Sequence, residues 1–305
     1  MANHKQTNSE GFLSSLIGER TAAKTAGLTY TAAALAMFGV SFLFLFIPRA
    51  EGEMPQWFLY LNFIAAPIAF FLTGVWYFSY TKNSVKAFAK EQLCHPKYYL
   101  VALMLAVGLF SLTELNGLFL KFLSLFGYES GEIFLPDMKG IGFLGVLLTV
   151  AVLPALMEEF VFRGIFLRET KDFSLWTRAI VCGALFALYH QNPAQTIYQF
   201  VCGTAFSIVA IKSGSMLPTA LAHFINNAVI LCLYKLGITA FPPPVYAIIL
   251  CVSGICLIVA FVYLLVFDRK QEEKKEGRLR QLFACASIGI GMLALSWLAT
   301  LAVGL

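Results

Sequence analysis

Leu153-Pro154-Ala155-Leu156-Met157-Glu158-Glu159-Phe160-Val161-Phe162-Arg163 sets two acids and a base inside an otherwise apolar run. Ionisable groups in hydrocarbon cost several kcal/mol and persist mainly where they pair with one another or line a functional cavity. The surrounding stretch, 141–167, is long enough to cross a bilayer, which takes about 20 mostly apolar residues. Read outward with the same ruler, the chain holds nine candidate spans: 28–47, 57–80, 99–122, 141–167, 179–191, 194–211, 216–236, 245–267 and 282–305. The stretch 179–191 is too short to cross alone and stops at Asn192-Pro193, where proline ends a helix. The expected fold is an all-α, polytopic membrane helical bundle of eight to nine spans.

Composition agrees. The 305 residues are 59% hydrophobic and 13% charged, with a mean hydropathy of +0.76, whereas a soluble domain is about 25% charged. The net charge of +5 reads as topology, not as a nucleic-acid footprint. With the N-terminus inside, Lys5, Arg20, Lys24, Lys82, Lys86, Lys90, Lys97, Arg168, Lys171, Arg178, Lys212 and six further cations between Arg269 and Arg280 face the cytoplasm. Only Arg49 and Lys139 fall in outer loops. The positive-inside rule then sets the N-terminus in the cytoplasm. An odd number of crossings sets the C-terminus outside, in a multi-pass protein of the cell membrane.

The chain divides into a polar N-terminal segment (1–27), three bland spans (28–126), a central block rich in intramembrane polar residues (141–236) and two closing spans (245–305). In the first segment Phe12, Leu13, Leu16 and Ile17 recur at helical spacing and suit the inner interface. No cleavable signal peptide is expected, because the first apolar stretch follows a long polar lead. No internal repeat is visible. Cys182, Cys202, Cys232, Cys251, Cys256 and Cys285 fall in apolar spans without CxxC or metal spacing; they read as small core residues free of disulfides.

Three polar pieces stand in the central block: Glu158-Glu159 with Arg163, Phe186 with His190, and His223 with Asn227. Glu159 and Arg163, Phe186 and His190, and His223 and Asn227 are each four residues apart, so each pair shares a helical face, while Glu158 points about 100° away from Glu159. At 1.5 Å per residue from the nearest inner end, Glu158, His190 and Asn227 come out ~15 Å deep and His223 ~10 Å, with Arg163 shallower at ~8 Å. Polar groups on separate helices thus fall in one layer, and that layer suits water activation. Arg163 can hold Glu159 ionised, leaving Glu158 as general base with His190 beside it. His223 and Asn227 can donate hydrogen bonds to an oxyanion. Each piece also has a plainer use: a Glu–Arg pair or an intramembrane histidine can serve helix packing. Imidazole and carboxylate could together hold zinc, but HExxH is absent, and the expectation is no metal and no cofactor. Glu114, near Asn116 in the third span, is expected to be structural or to line water.

Glu158-Glu159-x-x-x-Arg163, Phe186-x-x-x-His190 and His223-x-x-x-Asn227 resemble, in order and spacing, the motifs of the CAAX-prenyl endopeptidase and bacteriocin-processing (Abi, CPBP) family of intramembrane glutamic proteases. The resemblance implies an all-helical bundle of about eight spans around a cavity open to the cytosol. It implies that Glu158 and His190 activate water, that His223 and Asn227 stabilise the oxyanion, and that Glu159 and Arg163 support the site. The expected activity is hydrolysis of a peptide bond in a membrane-associated peptide or protein. Its partners would be that substrate and the lipid bilayer, with no nucleic acid. Competing readings are a non-catalytic scaffold or bacteriocin-immunity protein binding a peptide in the same cavity, a zinc-dependent membrane protease, and a proton-coupled transporter, against which no inverted repeat is visible.

The charge distribution makes a direct topological prediction. A cysteine placed at Lys274 should react with a membrane-impermeant thiol reagent only after the cells are opened, and one at Met54 should react in intact cells. The reverse pattern would invert the topology and the depths derived from it.

Overall fold

The computed structural model describes residues 19–47, 55–131, 134–268 and 277–305. The N-terminal interfacial segment, Met54 and the basic stretch 269–276 lie outside the described residues. The chain is helical, with no β-strand among the described residues. Among the described residues, eight helices are long and apolar enough to cross a membrane: α1 (Ala22–Phe44), α2 (Gln56–Thr81), α4 (Lys97–Ser124), α5 (Gly142–Glu169), α7 (Pro193–Ser213), α8 (Leu217–Lys235), α9 (Pro243–Phe267) and α10 (Leu279–Gly304). Two shorter helices complete the set, α3 (Val85–Glu91) and α6 (Leu175–Tyr189).

Most boundaries fall within three residues of the hydropathy reading, and the larger departures have local causes. Helix α1 begins at Ala22 rather than near residue 28. Thr21 caps it by accepting from the Lys24 N–H at 3.1 Å, while its hydroxyl donates to Gln281 Oε1 at 2.7 Å. That cap draws the polar residues Lys24 and Thr25 into the helix. Helix α6 begins four residues early because Ser174 accepts from the Thr177 N–H at 3.2 Å. An unsatisfied helix start is stabilised by about 1 kcal/mol by such a side-chain acceptor.

α5 lies centrally, packed on α2 at one side and α8 at the other. α1 sits between α2 and α10, and α4 packs against α7, α8 and α9. α6 and α7 form an antiparallel hairpin wedged into this ring. Two ties locate the tip of the hairpin. Asn116 donates to the Ala194 carbonyl at 3.0 Å, and Trp297 Nε1 donates to Thr196 Oγ1 at 2.8 Å. Both donors stand ~27–28 Å along their helices from the starts of α4 and α10. The short α6 and its turn therefore travel most of the way through the bundle.

Close helix approach is permitted by glycine. A Cβ on Gly183 of α6 would collide with the Thr204 hydroxyl of α7 and come within 2.8 Å of the Thr204 backbone nitrogen. Gly203 would likewise meet the Gly183 Cα at 3.0 Å. Small residues let membrane helices pack where no hydrophobic drive distinguishes helix from lipid. Behind this seam lies an aromatic cluster. Phe70 stacks on Tyr189 with centroids 4.6 Å apart, and Phe162 meets Tyr30, Phe70, Phe186 and Tyr189 edge-on. Tyr30 donates to the Leu185 carbonyl at 3.0 Å and Tyr189 to that of Ala33 at 3.3 Å, stitching α1 to α6.

The cysteine reading needs correction. All seven are free, but only Cys182, Cys202 and Cys285 are buried, while Cys232 and Cys251 are exposed on the bundle surface. An apolar sequence context does not distinguish a lipid-facing position from a core one. Glu114 accepts from the Tyr246 hydroxyl across the α4–α9 seam.

Replacing Gly183 with Ala should destabilise the protein by about 1–3 kcal/mol, the range for overpacking a tight contact. Gly39 has open space at its Cβ, so Gly39→Ala should be neutral or slightly stabilising. Thermal unfolding of both variants in detergent compares the two signs directly.

Candidate active site

α5 is not a regular helix where it carries the polar residues. Its turns at Leu147–Val152 and Phe160–Phe166 are π-helical and bracket an α-helical piece, Leu153–Glu159. Widened turns of this kind concentrate at functional sites. Pro154 accounts for part of the first one: it has no N–H to offer the Val150 carbonyl one turn back. Asn227 Nδ2 of α8 lies 3.4 Å from that carbonyl. One N–H of the Asn227 amide is thereby engaged, and an amide has two.

Glu159 and Arg163 form the pair that their spacing implies. Arg163 Nη1 donates to Glu159 Oε1 at 2.9 Å, and both side chains are wholly excluded from solvent. Arg163 Nη2 reaches across to the Gly203 carbonyl of α7 at 3.2 Å, and its guanidinium lies 4.3 Å from the Phe186 ring centroid. The same oxygen of Glu159 takes a second hydrogen bond from His223 Nδ1 at 3.1 Å. A carboxylate only accepts, so that nitrogen carries a proton.

Glu158 points elsewhere, as adjacent positions about 100° apart on a helix must. Its Oε2 stands 3.9 Å from His190 Nε2, beyond hydrogen-bond reach, and makes no hydrogen bond among the described residues. His190 Nδ1 is 2.9 Å from the Phe186 carbonyl. A carbonyl accepts, so Nδ1 carries the proton and Nε2 of the neutral ring offers a lone pair toward Glu158. Glu158 and His190 are nearly enclosed, with side chains 13% and 18% exposed.

Five of the six residues singled out by the sequence thus come together, in two Glu–His pairs joined through Arg163 and Phe186, while Asn227 meets His223 only in the wall of the adjoining cavity. Beside them opens a small cavity of about 40 Å³, walled by His223, Asn226 and Asn227 of α8, Phe186 of α6, and Gln199 and Cys202 of α7. Glu158 and His190 are not in its wall. Asn226 reaches the cavity as well as Asn227, and its Nδ2 lies 3.4 Å from Asn227 Oδ1.

Sequence reading passed over several participants. Phe186 marks the spacing to His190, but its carbonyl also orients that histidine and its ring packs under Arg163. Gly203 supplies the carbonyl that Arg163 needs, and Val150 the one that anchors Asn227. Backbone carbonyls leave no residue-type signature. For Val150, the proline four residues on is the available clue. Among the described residues, no three His, Cys, Asp or Glu side chains converge as a metal site would require.

Neither a curated protein nor a solved structure matched the chain. Residues 140–229 match a family model, the Rce1-like type II CAAX prenyl endopeptidases. The matched stretch runs from the start of α5 into α8 and contains both Glu–His pairs and Asn227. Residues 140–229 are thus similar to the Rce1-like type II CAAX prenyl endopeptidases, and the chain that carries them has the long apolar helices of a multi-pass membrane protein.

Proposed function

We propose that the protein is an intramembrane endopeptidase that cleaves a membrane-associated peptide or protein with a water activated by Glu158. The observation that carries this reading is the 3.9 Å gap between Glu158 Oε2 and His190 Nε2. Two acceptors that far apart suit one molecule with two O–H donors, and water is that molecule. Glu158 removes a proton as the water oxygen bonds to the scissile carbonyl carbon. Transferring that proton to the amide nitrogen lets the C–N bond break, releasing a carboxylic acid and an amine.

The oxygen that becomes negative lies toward α8 in this scheme. Asn227 offers its second N–H, its first being held by the Val150 carbonyl. His223 donates from Nε2 only when its ring is doubly protonated, because Nδ1 already donates to Glu159. The Glu159 carboxylate is the counter-ion for that imidazolium, and Arg163 keeps Glu159 ionised. Such preorganised donors supply a large share of the barrier reduction in acyl transfer.

Glu158→Gln should fold normally and lower turnover by at least ~10²-fold, the scale of general-base loss. This trapped variant, reconstituted in vesicles and probed with a mixture of membrane-anchored peptides, should retain bound peptides for identification by mass spectrometry. Undiminished cleavage by Glu158→Gln would sink the proposal.

Asn227→Ala should lower kcat ~10²–10³-fold with little change in KM, as expected for a donor used mainly in the transition state. An increase in KM at constant kcat would assign Asn227 to ground-state binding instead.

Activity should survive exhaustive dialysis against a strong chelator. Loss of activity together with one zinc per chain would make His190 and His223 ligands and replace the glutamate mechanism.

A further inference from the structure

The short helix α3 lies across one end of the bundle, and its inward face grips α5 and the start of α8, two of the three helices that carry site residues. Phe88 is buried against Phe78 and Phe160, and a Cβ on Gly164 of α5 would stand 2.9 Å from the Phe88 ring and 3.1 Å from Met216 Sδ. Glu91 pairs with Arg168 at the end of α5. One residue on, Gln92 turns to α8. Its side-chain Oε1 accepts from the Met216 N–H at 2.9 Å, and its backbone carbonyl accepts from the Ser215 hydroxyl at 2.5 Å. Its Nε2 donates back to the Phe88 carbonyl at 3.3 Å. Gln92 and Ser215 are 7% and 2% exposed, so these bonds are sheltered from competing water. Ser215 Oγ in turn accepts from the Leu217 N–H at 3.1 Å, the first residue of α8.

Phe88 and Gln92 thus fix α5 and the start of α8 to one rigid turn of chain. From Gly164 to Glu159 is five residues and from Met216 to His223 seven, about one and a half and two helical turns. A shift of α8 at this end therefore carries directly into the 3.1 Å contact between Glu159 and His223. Two further ties at the same end, Arg20 to the Thr81 carbonyl at 2.9 Å and Thr21 to Gln281 at 2.7 Å, join helices that carry none of the six site residues.

We infer that Gln92 is a positioning residue: by holding Ser215 and Met216 onto α3 beneath α5, it sets the height of α8 and hence the Glu159–His223 hydrogen bond. The inference rests on the proposed site, but its test does not require cleavage. In protein labelled with 15N-histidine and held in lipid nanodiscs, the His223 ring signals, assigned by their loss in His223→Gln, report the bond from Nδ1 to Glu159.

Gln92→Met should shift the His223 signals toward those of Glu159→Gln. Gln92→Glu, which keeps an acceptor for the Met216 N–H, should restore them. Thr21→Val removes a tie at the same end between α1 and α10 and should leave the His223 signals in place. With a cleavable peptide in hand, Gln92→Met should lower kcat about 10–10²-fold at little cost in KM, the effect of a displacement near 1 Å. If Gln92→Met does not fold, Ser215→Ala deletes one bond of the set and should produce a smaller shift of the same sign. Unmoved His223 signals in the folded Gln92 or Ser215 variant would overturn the inference. An equal shift in Thr21→Val would also overturn it, by showing general loosening instead of positioning. If the shifts occur but no peptide is cleaved, the positioning role stands and the peptidase reading fails.

Discussion

One oxygen of Glu159 is shared by a guanidinium from its own helix and an imidazole from α8, and the rest of the site is arranged around that sharing. A carboxylate so deeply buried is tolerable only with its charge matched; both hydrogen bonds fall on Oε1, and Oε2 makes none among the described residues. Removing one partner of a buried pair typically costs about 3–5 kcal/mol, because the other charge is left stranded. Arg163 meets the same requirement by reaching past Glu159 to the Gly203 carbonyl and by lying against Phe186. The glycine seam between α6 and α7 is what brings that carbonyl and that ring close enough. Packing and geometry are therefore not separable here: the tight hairpin is the condition for the buried Glu159–Arg163 pair.

The irregularity of α5 serves the same end. A regular helix would satisfy every carbonyl internally and offer nothing to α8. Pro154 leaves Val150 short of its usual donor, and Asn227 takes that place. A helix break that costs stability in isolation thus becomes an anchor for a side chain on another helix. The two glutamates diverge in environment for an equally local reason. Neighbouring positions point about 100° apart, so Glu159 faces the Arg163 and His223 donors while Glu158 faces the lone pair of His190.

Much of this was legible in the sequence. Long apolar runs translate into spanning helices because lipid leaves the backbone no other partner than itself. The spacing of Glu159 to Arg163 gave their pairing, since both lie on one helix. Depth was read less well. His190 sits some fifteen residues into α6 rather than eleven, because the Ser174 cap starts that helix early. The contacts of Glu158 with His190 and of Glu159 with His223 depend on side-chain reach between helices, which residue counting does not include. The carbonyls of Phe186, Gly203 and Val150 were invisible, since any residue type has one. The role of Gln92 was hidden for another reason: a polar residue in a basic loop reads as solvated until the structure buries it.

Arg163 and Glu159 lie on the same helix, one turn apart, and this bears on how the chain enters the membrane. A helix that brought only one of these charges would carry it unneutralised until its partner arrived from another segment. α5 brings both, and an i, i+4 pair can close within the helix before any tertiary contact exists. The helix can then partition as a unit whose opposite charges already offset each other, with Glu158 as the remaining acid in its interior. His223 joins later, when α8 is in place, and finds its counter-charge prepared. The order of synthesis, α5 before α8, is thus compatible with the electrostatics at each stage of assembly.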